Sequence, residues 1–486
     1  MANKYEYTTI IPQFKGLLQY RDFVDPQYAS DEKNMETKAG VLQPIAACTL
    51  LSQTTAKPIE TLMCLHRRYL GVDVLIAASN GKLYYLGNDW TEITSNGFQN
   101  SKWSWASYEI NPEGSTESVD VLLISNADDG MYIIKPPYTA TVSNPNWAVE
   151  AVDTKGKKFG VIERYAERIW GGAIAGNPDM LMYSAPYDPT DWAANVETPE
   201  DGAGDINQPS WDGDSFTALR AFGSQLIAFK RTRVWRILGT NPGEYTFKEQ
   251  YGGGAPYEKT IAVDTERILM LTDRGVVVYD GLSVTPFQQQ FAETVWGKLN
   301  KSYLHNACAT LWQNKYYLAV PLSGSQVNNA VIIYDTIENT WLIRDDVSVE
   351  SFLGTEKKLY FTSSTTPGKV WEFKEDSWTN TPAQVQCKWV SPWIDLSAKN
   401  VVKGGFEVYV LCEAKDNVIL KVSIQTEKKI KTKLYAVKAQ NGKEAKQKKL
   451  HFGGTGRRFR LIIESENTAA WRLISGVMII SEIDPD

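Results

Sequence analysis

Between residues 164 and 192 the chain reads "RYAERIWGGAIAGNPDMLMYSAPYDPTDW", placing three glycines, three aspartates and two tryptophans within 29 residues. Two chemistries use such residues. A glycine loop cradles phosphate when its second glycine is followed by Lys and Ser or Thr and then by a helix, so that backbone N–H groups, ammonium and hydroxyl meet phosphate and magnesium. Gly176 is followed by Asn177 and Pro178, and no helical period follows, so Gly171, Gly172 and Gly176 read as structural. "YGGGAP" at 251–256 also lacks a following helix, and reads as a tight crossing loop near an axis where backbones crowd. The second chemistry is glycoside hydrolysis, which needs two carboxyls across a sugar-sized cleft. Asp188/Asp191, Asp212/Asp214 and Asp345/Asp346 supply the residue types. "DPTDW" also fits an Asp-Pro turn whose aspartates bond the local backbone.

Other catalytic material is sparse. His66, His305 and His451 are the only histidines, with no Gly-x-Ser-x-Gly elbow and no His-Glu-x-x-His pair. Cys48, Cys64, Cys308, Cys387 and Cys412 are widely spaced, with no Cys-x-x-Cys. They predict buried, reduced thiols and folding in a reducing cytoplasm. The expectation is a protein without catalytic residues, metal site or cofactor, and not an enzyme.

Charge is unevenly spread. Residues 381–486 carry 18 Lys and Arg against 11 Asp and Glu, and the remainder 33 against 46, so a −13 portion adjoins a +7 portion. Residues 421–449 hold ten lysines against Glu427 and Glu444, and Arg457, Arg458 and Arg460 follow. Binders of single-stranded nucleic acid interleave aromatics with such cations, and here only Tyr435 occurs. The run predicts a solvated lysine face guarding an edge strand, or a docking surface for an acidic protein.

The elements that must position these residues are strands. Aromatics make up 12% of the chain, which suits pleated surfaces. Apolar runs broken by turns recur at 73–90, 120–138, 168–185, 224–239, 267–281, 314–345 and 358–376, every 35–50 residues or so, the spacing of four-stranded propeller blades. "FAETVWGKLN" at 291–300 predicts one or two helical turns between blades. From residue 381 onward, alternating segments such as "GGFEVYVLCEA" and "NVILKVSIQT" predict an antiparallel β-sandwich. The expected fold is all-β. Residues 1–50 form an arm or ring-closing segment, 51–380 a propeller of about seven blades, and 381–486 the sandwich. No apolar run reaches the roughly 18 residues of a membrane helix. The start, "MANKYEYTTI", has no basic region followed by an apolar one, and predicts no secretory signal.

The stretch "ERIWGGAIAGNPDMLMYSAPYDPTDW" resembles propeller segments of bacteriophage tail proteins, with an Arg-x-Trp strand, a Gly/Asn-Pro turn, a Tyr-Ser strand and a Pro…Asp-Trp ending. "FGSQLIAFKRTRVWRI" and "LTDRGVVVYDG" resemble the following blades. The nearest likeness is to hub or nozzle proteins of short-tailed phages. It implies a structural component of the virion tail, made in the host cytoplasm, with no catalytic residues. It implies a homo-oligomeric ring, usually a hexamer, that meets portal, adaptor or fibre proteins and conducts DNA at ejection during host entry. A conduit should repel phosphate, so the −13 portion is expected to line or face the channel. The alternative is a glycan-binding or glycan-hydrolysing propeller for receptor recognition, with tryptophans and paired aspartates in a central pocket.

Overall fold

Each of the seven apolar runs includes the second and third strands of a four-stranded antiparallel sheet. The computed structural model describes residues 5–19, 25–55, 57–94, 97–111, 118–137, 146–207, 213–250, 252–288, 292–374, 385–395, 401–440, 444–466 and 470–483. Tyr138, Asp212, Tyr251, Phe291 and Lys443, and the expected boundary near 380, lie outside the described residues.

In the first sheet Thr61–Arg67, Val72–Ser79, Lys82–Leu86 and Trp90–Glu92 pair in chain order. The second comprises Ser104–Ile110, Val119–Asn126, Gly130–Lys135 and Ala148–Ala151. The third comprises Phe159–Tyr165, Arg168–Ile174, Met180–Tyr183 and Gly204–Asn207. The fourth comprises Phe216–Phe222, Gln225–Lys230, Val234–Leu238 and Thr246–Gln250. The fifth comprises Ala262–Val263, Ile268–Thr272, Gly275–Tyr279 and Val284–Pro286, and the sixth Cys308–Trp312, Lys315–Val320, Ala330–Asp335 and Thr340–Arg344. The seventh takes Val349–Gly354, Leu359–Ser363 and Lys369–Phe373 from one end of the chain and Cys48–Thr54 from the other. The expected helical turns occur as Ala292–Val295 and Trp296–Lys298, between the fifth and sixth sheets.

The second strands explain why these sheets stack. Val119–Asn126 is buried at every position, so both of its faces need cover. One side chain alternates toward each neighbouring sheet. Leu122 and Ile124 pack with Met63, Ile76 and Leu83 of the first sheet, whereas Val121 and Leu123 pack with Phe159, Ile162 and Ile169 of the third. The pattern repeats around the molecule, and Leu353, Tyr360 and Val370 of the seventh sheet pack on Leu62, Cys64 and Leu75 of the first. Each sheet thus shares an apolar cluster with the next and the last with the first, which is a closed β-propeller.

Residues 1–50, expected as an arm or ring-closing segment, divide between the propeller and the C-terminal sheets. Cys48–Thr54 runs antiparallel to Lys369–Phe373, so main-chain hydrogen bonds tie the two ends of the ring. The earlier residues instead complete the C-terminal sheets, because edge strands there have unpaired N–H and C=O groups to satisfy. Tyr5–Ile11 pairs with Trp471–Ile483, as does Val41–Pro44, itself paired with Met35–Lys38; Lys403–Ala414 and Lys448–Gly456 complete this six-stranded sheet. Asp31–Lys33 pairs with Gln386–Val390 in a five-stranded sheet that continues through Phe459–Glu466, Val418–Thr426 and Ile430–Val437. Val408, Val410 and Cys412 of the larger sheet share a core with Val422, Ile424 and Ile463 of the smaller, and the Phe406 and Phe459 rings meet at 4.8 Å.

Asn34 joins these parts. Its left-handed backbone (φ 54°) suits asparagine better than most L residues. Its Nδ2 donates to Asp345 Oδ1 (2.7 Å) and to the Gln386 carbonyl (2.9 Å), and its Oδ1 accepts from the Asp345 amide (2.8 Å). One buried side chain therefore bridges the N-terminal segment, the edge of the sixth propeller sheet and the C-terminal unit.

Candidate functional site

The glycine- and aspartate-rich stretch lies in the third sheet, and its side chains bond to the protein itself. A Cβ on Gly171 would stand 2.5 Å from the Phe159 ring, and one on Gly172 2.8 Å from Leu181, so these glycines admit neighbouring side chains rather than phosphate. Arg168 is 1% exposed and points its guanidinium at main-chain carbonyls. Nη1 donates to Ser184 (2.7 Å) and Gly202 (2.6 Å), and Nη2 to Glu200. The charge also lies over the Tyr183 ring at 5.2 Å. Trp192 Nε1 donates to the Pro189 carbonyl (3.1 Å), and its ring packs on Phe159 at 4.8 Å. Tyr165 Oη donates to the Ser224 and Gly239 carbonyls, and Asp179 pairs with fully buried Lys230, so the stretch also fastens the third sheet to the fourth.

Among the described residues, the aspartates of these pairs bond to local partners. Asp188 Oδ1 accepts from the Thr190 amide (2.8 Å) and hydroxyl (2.7 Å), and Asp191 Oδ1 from the Ala193 amide (2.9 Å), which are local turns. Asp214 accepts from the Arg231 amide (2.9 Å). Asp345 meets Asn34 and Lys33, while Asp346 forms a two-pronged pair with Arg344. The described carboxylates of these pairs thus satisfy local amides and cations, and Asp212 lies outside the described residues. The 252–256 loop is crowded, as expected. A Cβ on Gly252 would strike the Val284 carbonyl and one on Gly254 the Lys230 carbonyl, and the Ala255 carbonyl accepts from Thr217 Oγ1 of the fourth sheet's first strand (3.0 Å).

The histidines are scattered. His66 Nδ1 lies 2.5 Å from Asp73, His451 is 3.1 Å from Glu407 in mid-strand rather than at a strand end, and His305 sits in the short helix Lys301–Asn306. Among the described residues no group of His, Cys, Asp and Glu is placed to hold a metal ion. All five cysteines are free and buried, and burial pushes the Cys48 thiol up to about 11 and those of Cys64, Cys308 and Cys387 up to about 12. Such thiols are poor nucleophiles at neutral pH. The basic run lies on the outermost strand of the five-stranded sheet and on Lys448–Gly456.

A different cluster stands where the first strands of the sheets begin. A cavity of about 430 Å³ is lined by all seven sheets or the turns leading into them, including Thr61, Trp105, Glu163, Arg220, Lys259, Cys308 and Phe352. Glu60 and Lys102 also border it. The cavity lining is of mixed sign, with Glu60, Glu163 and Glu258 beside Lys102, Lys259 and Arg220. Glu163 lines this cavity, its carboxylate 3.9 Å from the Arg220 guanidinium. Burial pushes it up to about 7, and Arg220 offsets part of that effect. Burial likewise raises Glu350, near Lys259, Glu60 and Lys102. Sequence reading passed over this cluster. Its signal is a charged residue inside the first strand of two successive units, in "FGVIERY" and "FTALRAF".

Glu163 sets a pH dependence. Its folded pKa is above the unfolded one, so its stabilising protonated form is fully present below about pH 4.5 and is lost as pH rises through about 7. Glu163→Gln is expected to flatten stability between those limits and to gain about 1–3 kcal/mol at pH 8. Urea unfolding at pH 5 and pH 8 measures this, and an equal effect at both pH values would refute it.

No family model matches the chain, and no curated protein does. Solved structures match at low identity. The chain is similar to the Pan2 WD40 domain of Neurospora crassa (11% identity, TM-score 0.37), covering 69% of this chain and 96% of that one. It is similar to BBS1N, solved in complex with ARL6DN (10% identity, TM-score 0.43), covering 68% and 97%. It is also similar to PorZ, a surface component of the type-IX secretion system of Porphyromonas gingivalis (11% identity, TM-score 0.36), covering 84% and 46%. Likeness at this level concerns the fold alone. No helix among the described residues is long and apolar enough to cross a membrane.

Proposed function

We propose that this chain is a structural protein of a bacteriophage tail, a hub or nozzle component that forms a homo-oligomeric ring and docks to portal, adaptor or fibre proteins. It works by making interfaces and not by turnover, and its place is the virion after synthesis in the host cytoplasm. The observation that carries this reading is the stretch from Arg168 to Trp192. The residues that give the sequence its likeness to tail propellers are those whose polar atoms hold their own main chain. The buried thiols suit synthesis in a reducing compartment. On this reading the DNA path runs between copies rather than along one propeller axis, where side chains of all seven sheets or the turns leading into them converge on a cavity of about 430 Å³.

Sedimentation velocity and negative-stain imaging of the purified chain, alone and with portal and adaptor proteins, test the reading. Rings, or capture by the portal complex, are expected. A second reading is favoured by Trp105 and Phe352, which line the same cavity as Glu163, since rings and carboxylates are what a sugar-binding cavity uses. A stable monomer that binds glycans, and loses them in Glu163→Gln, would replace the first reading with the second.

A further inference from the structure

Two surfaces of the chain carry opposite charge, and each also holds apolar side chains in solvent. The first is Ile430–Val437, the last strand of the five-stranded sheet, paired only with Val418–Thr426. Five consecutive residues from its start are exposed, so both faces of the strand meet water. Lys429, Lys431 and Lys433 are exposed and form no ion pair among the described residues. Lysines on an edge strand are explained as a guard against sheet pairing. That guard does not explain Ile430 (55% exposed), Leu434 (65%) and Ile419 (54%). Ile419 lies opposite Ala436, hence diagonal to Leu434 on the outer face, so the two form one apolar patch.

The second surface is the outer rim of the third propeller sheet. Residues 169–219 contain nine Asp and Glu and no Lys or Arg. Between Met180–Tyr183 and Gly204–Asn207 the carboxylates of Asp188, Asp191, Glu197, Glu200 and Asp201 are exposed, together with Tyr187 (76%) and Val196 (92%). Arg168 fixes this loop by holding the Glu200 and Gly202 carbonyls, so the rim is a formed surface. No ion pair joins it to the lysine edge within the chain among the described residues.

We infer that the lysine edge of one copy docks on the acidic rim of the next copy, an assignment that rests on the ring-forming reading and names its contact. Two different patches on one chain generate a head-to-tail contact, which repeats and closes when the rotation allows. Opposite charge steers and orients the encounter, while Ile430 and Leu434 meeting Tyr187 and Val196 supply the desolvated centre. The same geometry assigns the uneven charge of the sequence a role in self-recognition.

Charge reversal on the full chain tests this. Lys429→Glu/Lys431→Glu/Lys433→Glu and Glu197→Lys/Glu200→Lys/Asp201→Lys are each expected to weaken self-association by about tenfold or more in sedimentation velocity at low salt. An equimolar mixture of the two variants restores it, because each then offers the complement of the other. The chain carrying all six changes restores it alone. All substituted positions are exposed, and unchanged melting temperatures confirm that the variants fold. Variants that assemble like the wild type overturn the contact while leaving the ring reading intact, and a mixture that stays dissociated also overturns it. A wild type that is monomeric at every concentration overturns both. Unchanged assembly with lost binding of a single-stranded DNA oligonucleotide would assign the lysine edge to nucleic acid instead.

Discussion

Arg168→Met is expected to lower the unfolding free energy by about 3–5 kcal/mol, the summed cost of three acceptors left without their donor. Methionine keeps most of the side-chain volume, so a cavity does not account for the loss. Three carbonyls, those of Ser184, Gly202 and Glu200, lose their donor, and buried acceptors without partners are costly. Arg168→Lys keeps the charge but not the planar fork that reaches several carbonyls at once, and is expected to lose about half as much. Because this guanidinium holds the loop that carries the acidic rim, both variants should also self-associate more weakly than their stability alone predicts. Urea unfolding with sedimentation velocity measures both effects. A loss under about 1 kcal/mol for Arg168→Met would show that water replaces the guanidinium there.

The second large effect is expected where the ring is tied. Arg344, 1% exposed, donates through Nε to Asp346 Oδ1 (2.7 Å) and through Nη2 to Oδ2 (2.6 Å), and lies over the Phe373 ring at 4.9 Å. Phe373 in turn pairs with Cys48, the first residue of the closing strand. Arg344→Met leaves a carboxylate facing the buried side of the joint, and Asp346→Asn leaves a buried guanidinium unpaired. Each is expected to cost about 3–5 kcal/mol, and the double variant clearly less than the sum. Amide exchange of Cys48–Thr54 should quicken in both single variants, since the strand loses the support of Phe373. Additive single effects would mean that the two residues act separately.

Much of the propeller was legible because its second and third strands are buried on both faces and bounded by turn residues. "DVLIAASNGKLYYLGNDW" announces its turn through Asn80 and Gly81, whose φ angles of 51° and 73° are those the Asn-Gly pair favours. Arg168–Ile174 and Met180–Tyr183 likewise follow from apolar runs around an Asn-Pro-Asp turn. The first and fourth strands were less legible. Gly204–Asn207 and Thr246–Gln250 are polar and largely exposed, so their pattern resembles a loop. The site was hardest to read. Glu163 and Arg220 lie 57 positions apart, and only closure of the ring brings them to one cavity.

The all-β class, the recurring hairpins, the buried thiols and the separation of acidic from basic residues were legible in the chain, since each is local in composition or period. Tertiary structure alone decided where the first fifty residues go, because a strand's partner depends on which edges are left unpaired far along the chain. It also decided which charges meet. Asp179 reaches Lys230, Asn34 reaches Asp345, and Lys429, Lys431 and Lys433 are left facing solvent on an open edge. Hydrophobic period encodes which face of a strand is buried, whereas the identity of what covers it is set by packing across the whole ring.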